Sequence, residues 1–183
     1  MLTANRIYEK IQNGSIVIDP FDPKRLNPNS YNIRLGNKLQ VYKNKKIYHA
    51  AYVETLPIDM KENNEVEEII IPETGLELSP RTLYLGTTME YTETHNCIPC
   101  IDGRSSIGRL GLNIHATAGF GDIGFCGKWT LEISCIQPII IYPYIEIGQI
   151  YYFEPDGEID QYYRGKYQGQ NDVQASKLYL ERE

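Results

Sequence analysis

The sequence is short of three features that would assign it to a broad class of protein. Its apolar runs are far shorter than the roughly 20 residues that a membrane-spanning helix needs, so we expect no membrane association. Lysine and arginine number 18 against 24 aspartates and glutamates, which gives a formal net charge of −6. A general nucleic-acid binder needs a broad basic face, and this acid surplus argues against that class. The acid surplus is still compatible with binding of a small anion in a local pocket.

Cysteine is also scarce, at four residues. Cys97 and Cys100 have the spacing of a metal knuckle, but Cys126 and Cys135 do not form the second pair that a structural zinc site uses. The His-x-Glu and Pro-Cys-x-x-Cys motifs of zinc nucleobase deaminases are absent from the sequence. We therefore expect no zinc and predict that the cysteines are buried strand residues.

The N-terminal stretch MLTANRIYEKIQNGS lacks the apolar core of a secretory signal peptide. We therefore expect a cytoplasmic protein, in which the thiols stay reduced.

The chain of 183 residues has the length of one domain, and we predict a single domain over residues 1–183. An amphipathic helix is predicted from Thr3 to Asn13, with Thr3 as its N-cap and Gly14 ending it. The remaining pattern is mainly β, because short apolar or alternating runs are separated by turns rich in Pro, Gly or Asn. The predicted strands are 15–19, 31–35, 38–42, 66–71, 83–91, 97–101, 128–136, 138–142 and 147–153. Many short strands favour a sandwich, a jelly roll or a distorted barrel.

Two segments lack a core-forming pattern. Residues 43–46 (KNKK) are predicted to form a solvated hairpin turn. Residues 156–183 are polar and contain Gly165 and Gly169, so they are predicted to form a tail that closes over another part of the molecule.

The segment GRSSIGRLGL, residues 103–112, places two arginines and two serines in an otherwise acidic chain. It suits a strand that ends in a turn and opens a short helix, where exposed backbone N–H groups favour an anion. Arg104 would add bidentate phosphate recognition, and Ser105 and Ser106 would add hydroxyl donors. An ordinary turn with a solvated arginine is the alternative.

The segment HATAGFGDIGFCGKWTLEIS, residues 115–134, combines a glycine-rich loop with a strand. The glycines allow the loop backbone to approach a ligand closely. In the strand, the alternation places Glu132 on the face opposite Leu131 and Ile133. Glu132 is a solvent-face residue in one interpretation. In the other it lines a dry pocket, where desolvation would raise its pKa and suit it to proton transfer.

These two segments belong to an ordered set of four blocks that resembles the dCTP deaminase family of the dUTPase-like superfamily. The outer blocks are PNSYNIRLG (28–36) and IGQIYYFE (147–154), and KYQGQNDVQAS (166–176) resembles the C-terminal lid of the family. The lid resemblance assigns residues 156–183 as the lid segment. The middle two blocks resemble the deaminase branch rather than plain dUTPases.

The resemblance implies a mainly β subunit, a distorted jelly roll or β-barrel of the dUTPase-like type with a short N-terminal helix. It implies a homotrimer with active sites at subunit interfaces. It also implies hydrolysis of the 4-amino group of dCTP without zinc, in pyrimidine deoxynucleotide synthesis. Mg²⁺ would be bound with the triphosphate, with no ligand from a protein side chain.

Three residues carry catalysis if the family roles apply at the matching positions. Glu132 would be the general base that activates water for attack on C4 of cytosine and passes the proton toward N3 and the leaving ammonia. Ser105 and Arg109 would orient the ring and the water and stabilise the developing charge.

Other residues would bind the substrate. Asp122 would accept a hydrogen bond from the 3′-hydroxyl of the sugar, and Phe125 would exclude a 2′-hydroxyl. Thr117 and Ala118 would line the base pocket with their backbone. The full substrate-binding set that the resemblance implies is Arg104, Ser106, Thr117, Ala118, Asp122, Phe125, Thr130, Tyr162, Tyr163, Lys166 and Gln170.

Position 32 departs from the family pattern, and the loop at 118–120 bears on the identity of the product. Asn32 stands where relatives usually carry Asp, which puts a structural or Mg²⁺-linked role of that carboxylate in doubt. Release of dUTP is the first interpretation. Ala118-Gly119-Phe120 resembles the loop of bifunctional members that release dUMP and pyrophosphate, with Gly119 leaving room for a second water near the α-phosphate. A dUTPase without action on cytosine and a nucleotide sensor without turnover are further alternatives. The sequence leaves open whether dUTP also binds and whether dTTP regulates the protein.

Overall fold

The structure is a computed structural model that describes residues 1–43 and 46–181. Helix α1 spans Ala4–Gln12 and helix α2 spans Ser105–Gly108, with 3₁₀ turns at Pro23–Arg25 and Leu178–Leu180. The strands are β1 (Ile16–Asp19), β2 (Leu26–Asn27), β3 (Ser30–Tyr42), β4 (Lys46–Tyr48), β5 (Val53–Thr55), β6 (Val66–Ile70), β7 (Leu76–Leu78), β8 (Tyr84–Thr88), β9 (Tyr91–Thr94), β10 (Ile98–Gly103), β11 (Leu112–Asn113), β12 (Cys126–Gly127), β13 (Thr130–Cys135), β14 (Ile139–Ile141) and β15 (Glu146–Phe153). No helix within these ranges has the length and apolar character needed to cross a membrane.

The N-terminal helix forms where its amphipathic pattern predicts it. Ile7 is fully buried against the core, and Ile11 packs partly against it. Thr3 occupies the N-cap position with an extended backbone, but its side chain makes no capping hydrogen bond. Gly14 follows the helix with a φ of +76°, a left-handed conformation that glycine adopts without strain.

A large antiparallel sheet curls into a barrel-like body, which confirms the mainly β fold class. Its strand order is β10-β15-β3-β8-β13-β11, and β2 and β6 also pair with β3. The long strand β3 is the centre of this arrangement, because it pairs with β15 through its first half and with β6 and β8 through its second. Inward residues such as Ile33, Leu39 and Ile133 are fully buried between its walls.

The prediction of two separate strands at 31–35 and 38–42 is wrong, because β3 is continuous across Gly36. The pairing of β3 with β8 instead shifts its register between Leu35 and Leu39. Gly36 lies at this shift against Thr87, so closely that an added Cβ would be 3.0 Å from the Thr87 side chain. The strand therefore bends without ending. The strand predicted at 83–91 is instead divided into β8 and β9.

The cysteines lie in or beside the sheet as free thiols. Cys97, Cys100 and Cys135 are buried, and Cys126 is half-buried. Burial raises the pKa of the Cys97 and Cys100 thiols, which disfavours the thiolate that binds metal. Across the described part of the chain, no three His, Cys, Asp or Glu side chains are grouped as metal ligands. The turn predicted at 43–46 includes residues 44 and 45, which lie outside the described residues.

Candidate active site

A cavity of about 450 Å³ opens beside β13, between the glycine-rich loop 115–125 and the C-terminal segment. This volume lies in the range of small-molecule sites. Strand β13 and its partner β8 form one wall, the loop forms a second, and residues 163–176 close a third. The lining residues are Tyr42, Leu83, Leu85, Ala116, Ala118, Phe120, Gly121, Asp122, Phe125, Trp129, Thr130, Glu132, Tyr163, Tyr167, Gln170, Gln174 and Ser176.

Glu132 lies on the cavity wall because β13 alternates. Leu131 and Ile133 point into the core, and Glu132 is half-buried on the opposite face. Its Oε2 accepts a hydrogen bond from the backbone N–H of Ala116 at 3.1 Å. This contact fixes one oxygen of the carboxylate against the loop, so the carboxylate is positioned rather than freely rotating. The structure thus places Glu132 on the wall of a pocket.

An aromatic cluster forms the apolar side of the cavity. The rings of Phe125 and Trp129 are 5.0 Å apart, and the rings of Phe125 and Tyr163 are 5.9 Å apart. The Trp129 Nε1–H donates to Thr92 Oγ1 at 2.9 Å, so its one polar atom is satisfied within the fold. Aromatic surfaces of this size are suited to packing against a planar or sugar-like ligand.

The glycine-rich loop is held tightly against β10. The backbone N–H of Ile101 donates to the carbonyl of Gly119, and Gly121 N–H donates to the carbonyl of Pro99. A Cβ on Gly119 would be 2.5 Å from the Ile101 carbonyl oxygen and 2.8 Å from the His115 ring. Glycine is therefore required at position 119 because the loop backbone approaches other parts of the protein closely. This reason differs from the one suggested by the sequence, which was room for a second water.

The C-terminal segment closes the cavity within its own chain. The Gln170 carbonyl accepts from Lys128 N–H at 2.8 Å, and the Gln170 side chain donates to the Lys128 carbonyl. The backbone N–H of Gln174 donates to Thr130 Oγ1 at 3.2 Å. An ion pair of 2.6 Å between Lys38 and Asp172 holds the same segment to β3. Seven of the residues singled out from the sequence therefore line one cavity, namely Ala118, Asp122, Phe125, Thr130, Glu132, Tyr163 and Gln170.

The arginine and serine segment lies elsewhere in the chain. As predicted, β10 ends in a turn that opens α2, and Arg104 is the residue before the helix. Arg104 Nη1 donates to the Glu146 carbonyl at 3.0 Å and lies 3.1 Å from Glu146 Oε2. Ser105 and Ser106 are exposed on α2, and Arg109 is exposed immediately after it. None of these four residues is among the described residues that line the cavity.

Three further residues of the predicted set also lie outside the cavity lining. Thr117 is exposed at the start of the glycine-rich loop. Tyr162 is half exposed and covers Gly124, and it lines a separate hollow together with Phe120 and Gln161. Lys166 pairs with Glu181, and that hydrogen bond raises the pKa of Lys166, so its ammonium group stays charged.

Sequence reasoning missed several lining residues. Ala116 matters through its backbone N–H, which donates to Glu132 and leaves no side-chain signal. Tyr42 ends β3 and accepts from the backbone N–H of Ser176 at 3.0 Å. Gln174 is brought to the cavity by the path of the tail. The tail block 166–176 was the signal that could have identified Gln174.

Comparison with known proteins identifies the family of this chain. A family model described as dCTP deaminase-like matches residues 1–154. The chain belongs to the dCTP deaminase family. A relative from Clostridium botulinum (strain Eklund 17B / Type B), named "dCTP deaminase, dUMP-forming", is 59% identical over 164 residues, which are 90% of this chain and 88% of that protein. A protein of the same name from Cytophaga hutchinsonii is 51% identical over 179 residues, or 98% of this chain and 96% of the relative.

The chain shares its fold with a solved structure of 2′-deoxycytidine 5′-triphosphate deaminase from Agrobacterium tumefaciens. The TM-score is 0.61 at 22% sequence identity, over 82% of this chain. The match covers 47% of the Agrobacterium chain, so this chain spans about half the length of that protein. The mainly β, barrel-like fold class predicted from the sequence is confirmed.

Proposed function

We propose that this protein hydrolyses dCTP to dUMP, ammonia and pyrophosphate, with deamination at Glu132. The observation that carries the proposal is the Glu132 carboxylate, fixed by the Ala116 N–H on the wall of an aromatic-lined cavity of about 450 Å³. Family membership supplies the substrate class, since the relatives are named dCTP deaminases.

In the proposed deamination, a water molecule loses a proton to Glu132 and its oxygen bonds to C4 of cytosine. Glu132 passes this proton to N3, where it stays, and then transfers the proton of the new C4 hydroxyl to the exocyclic nitrogen, which leaves the 4-oxo ring of uracil. The C4–N bond breaks, and ammonia leaves. One oxygen of the Glu132 carboxylate, Oε2, accepts the hydrogen bond from the Ala116 N–H. The other oxygen is available for this proton transfer.

A triphosphate needs cations that this cavity does not contain. Both charged side chains among its described lining residues, Asp122 and Glu132, are acidic. The exposed Ser105, Ser106 and Arg109 of α2 provide hydroxyl groups and a positive charge on another part of the surface. We therefore include a homotrimer in the proposal, in which α2 of one copy completes the cavity of its neighbour.

Mg²⁺ enters the proposal with the substrate. It prefers phosphate oxygens and water and takes few protein ligands, so phosphates held by Arg104 and Ser106 would carry it without a cluster of carboxylates. When bound, it would neutralise part of the triphosphate charge. The proposed compartment is the cytoplasm, whose reducing conditions suit the free thiols of this chain.

The product in the proposal differs from the first interpretation of the sequence, which was dUTP. The named relatives form dUMP, and this favours the bifunctional alternative. In the second step, water attacks the α-phosphorus of dUTP, the bond to the bridging oxygen breaks, and pyrophosphate leaves. The overall reaction consumes two waters for each dCTP.

The test incubates the purified protein with dCTP and Mg²⁺ and follows ammonia, pyrophosphate, dUTP and dUMP together. We expect ammonia, pyrophosphate and dUMP in equal amounts, without accumulation of dUTP. Ammonia with accumulating dUTP would identify a simple deaminase. A parallel incubation with dUTP that yields pyrophosphate, while dCTP yields no ammonia, would identify a dUTPase. Tight binding of dCTP without any product would identify a sensor.

A further inference from the structure

A partly buried polar cluster connects the first block of the sequence to Arg104. Asn32 on β3 is only 7% exposed, and both ends of its amide are used. Its Nδ2 donates to Glu146 Oε2 at 2.9 Å, and its Oδ1 accepts from Asn27 Nδ2 at 2.7 Å. The orientation of the Asn32 amide is therefore fixed by two partners of opposite hydrogen-bonding type.

Glu146, held in this way, in turn contacts and orients Arg104. One nitrogen of the guanidinium, Nη1, contacts both the carbonyl and the carboxylate of Glu146. Nε and Nη2 make no hydrogen bond to any residue that the structure describes, so one edge of the guanidinium stays available. That edge is the one that would bind a phosphate through two parallel hydrogen bonds.

The charges of the cluster balance. Arg25 Nε lies 3.4 Å from Glu146 Oε1, and Arg25 Nη1 lies 2.8 Å from Asp22 Oδ2. With Arg104, the cluster contains two guanidinium groups and two carboxylates, and Asn32 adds no charge. A carboxylate at position 32 would face the carboxylate of Glu146 and make the cluster negative next to the arginine that has to hold an anion.

We propose that Asn32 and Glu146 form a positioning pair for Arg104, with the carboxylate at position 146 and a neutral amide at position 32. Glu146 orients the guanidinium, and the amide at position 32 keeps the carboxylate in place without adding charge. The inference rests on the proposed function, because the anion that Arg104 would hold is the triphosphate of dCTP.

The test is a charge exchange across the pair. Asn32→Asp and Glu146→Gln are made singly and together, and kcat and KM are measured by ammonia release. The dissociation constant of dCTP is measured by titration calorimetry. We expect each single variant to raise KM and Kd about fivefold to tenfold with kcat within about twofold, because the phosphates are remote from C4. We expect the double variant to bind dCTP more tightly than Asn32→Asp but less tightly than the wild type. The carboxylate introduced at position 32 would accept from the amide introduced at position 146, which restores the balance of charge, but that amide nitrogen would replace the oxygen that contacts Arg104 Nη1.

Asn96→Asp is the matched control. Asn96 accepts a hydrogen bond from a buried cation, Lys10, but it lies just before the other end of β10, about 26 Å from Arg104 along the extended chain. Charge added there is beyond the screening length, so KM and Kd should not change. Thermal melting of every variant reports the stability separately.

Three results would overturn the pairing. The Asn32→Asp variant could bind dCTP as the wild type does, the two single defects could add in the double variant, or Asn96→Asp could weaken binding equally. Ammonia release by the wild type tests the proposed function independently. If the wild type binds dCTP without turnover, the Kd ratios still decide the pairing, and if it binds no dCTP, both proposals fail.

Discussion

Glu132 shows how much a single residue depends on what lies next to it. Alternation in β13 turns it away from the core, which is also how an ordinary surface glutamate would be placed. The loop that returns over β13 changes its surroundings, because the Ala116 N–H and the aromatic cluster bring the carboxylate into a cavity. The local sequence therefore determines the position of Glu132 in the strand, whereas the cavity depends on contacts between residues that are distant in the chain.

Replacing Glu132 by Gln should remove ammonia release while leaving dCTP binding intact. Glutamine keeps the shape of the side chain and can still accept from Ala116 N–H, but it cannot take a proton from water. We expect kcat to fall about 10²- to 10⁴-fold, the usual loss for a general base. Ammonia release gives kcat, and calorimetry gives the dissociation constant.

Glu67→Gln is the control for this change, because Glu67 is an exposed strand glutamate on β6, outside the cavity lining. It should leave both constants unchanged. Normal turnover by the Glu132→Gln variant would contradict the role given to Glu132.

At the scale of an element, the glycine-rich loop is a packed structure whose shape is set by β10. Gly119 lies between the Ile101 carbonyl and the His115 ring, with no room for a side-chain carbon. Its carbonyl accepts from Ile101 N–H, so the loop cannot move away from β10 without losing a hydrogen bond. The loop positions Ala116, and through it Glu132.

Replacing Gly119 by Ala should therefore lower both stability and activity. The overpacked methyl group should reduce the free energy of unfolding by about 1–3 kcal/mol. Urea denaturation checks the stability, and ammonia release checks kcat. Gly108→Ala is the control for stability, because no atom lies within 4 Å of its added Cβ and α2 tolerates alanine. An unchanged free energy of unfolding for the Gly119→Ala variant would contradict the tight packing of the loop against β10.

The C-terminal segment is the element for which sequence pattern is least informative. It forms no strand within its described residues beyond β15, and its order comes from single contacts such as Gln174 N–H to Thr130 and Ser176 N–H to Tyr42. Contacts of this kind have no period in the sequence. A polar composition therefore predicted a tail and its tendency to close, but not the residues it would reach.

At the scale of the whole molecule, one chain contains all of the proposed catalytic residues but does not bring them together. Glu132 lines the cavity, whereas Ser105 is exposed on α2 and Arg109 is exposed at its C-terminal end. Helix α2 leads into β11, which pairs with the far end of β13 at Cys135. In the proposed homotrimer, a site composed from two copies would resolve this separation.

Mixing two inactive variants tests such a composite site. Glu132→Gln and Arg109→Ala are each expected to be nearly inactive, and co-expression should restore activity. If every site takes Glu132 from one copy and Arg109 from its neighbour, random assembly gives about a quarter of the sites both native residues. Ammonia release by the co-expressed mixture, compared with each variant alone, provides the measurement. A mixture no more active than its components would show that each chain completes its own site.

Particular residues show how far prediction from sequence reached. The pattern of Ile7 and Ile11 was enough to predict α1, and the alternation around Leu131 and Ile133 was enough to predict β13. The split at Gly36 was wrong because a glycine can mark a bend under close packing as well as the end of a strand. Ala116 could not be found, because a backbone N–H is the same at every residue except proline.

By itself, the sequence determined the mainly β character, the N-terminal helix, the family and the side chains available for chemistry. These depend on local periodicity and on motifs that are contiguous in the chain. The tertiary structure alone decided that Glu132 lies in a cavity, that Gly119 packs on Ile101, and that Arg104 pairs with Glu146, whose carboxylate Asn32 holds. Those relations join residues far apart in the sequence, and their strength depends on distances and burial that no local pattern encodes.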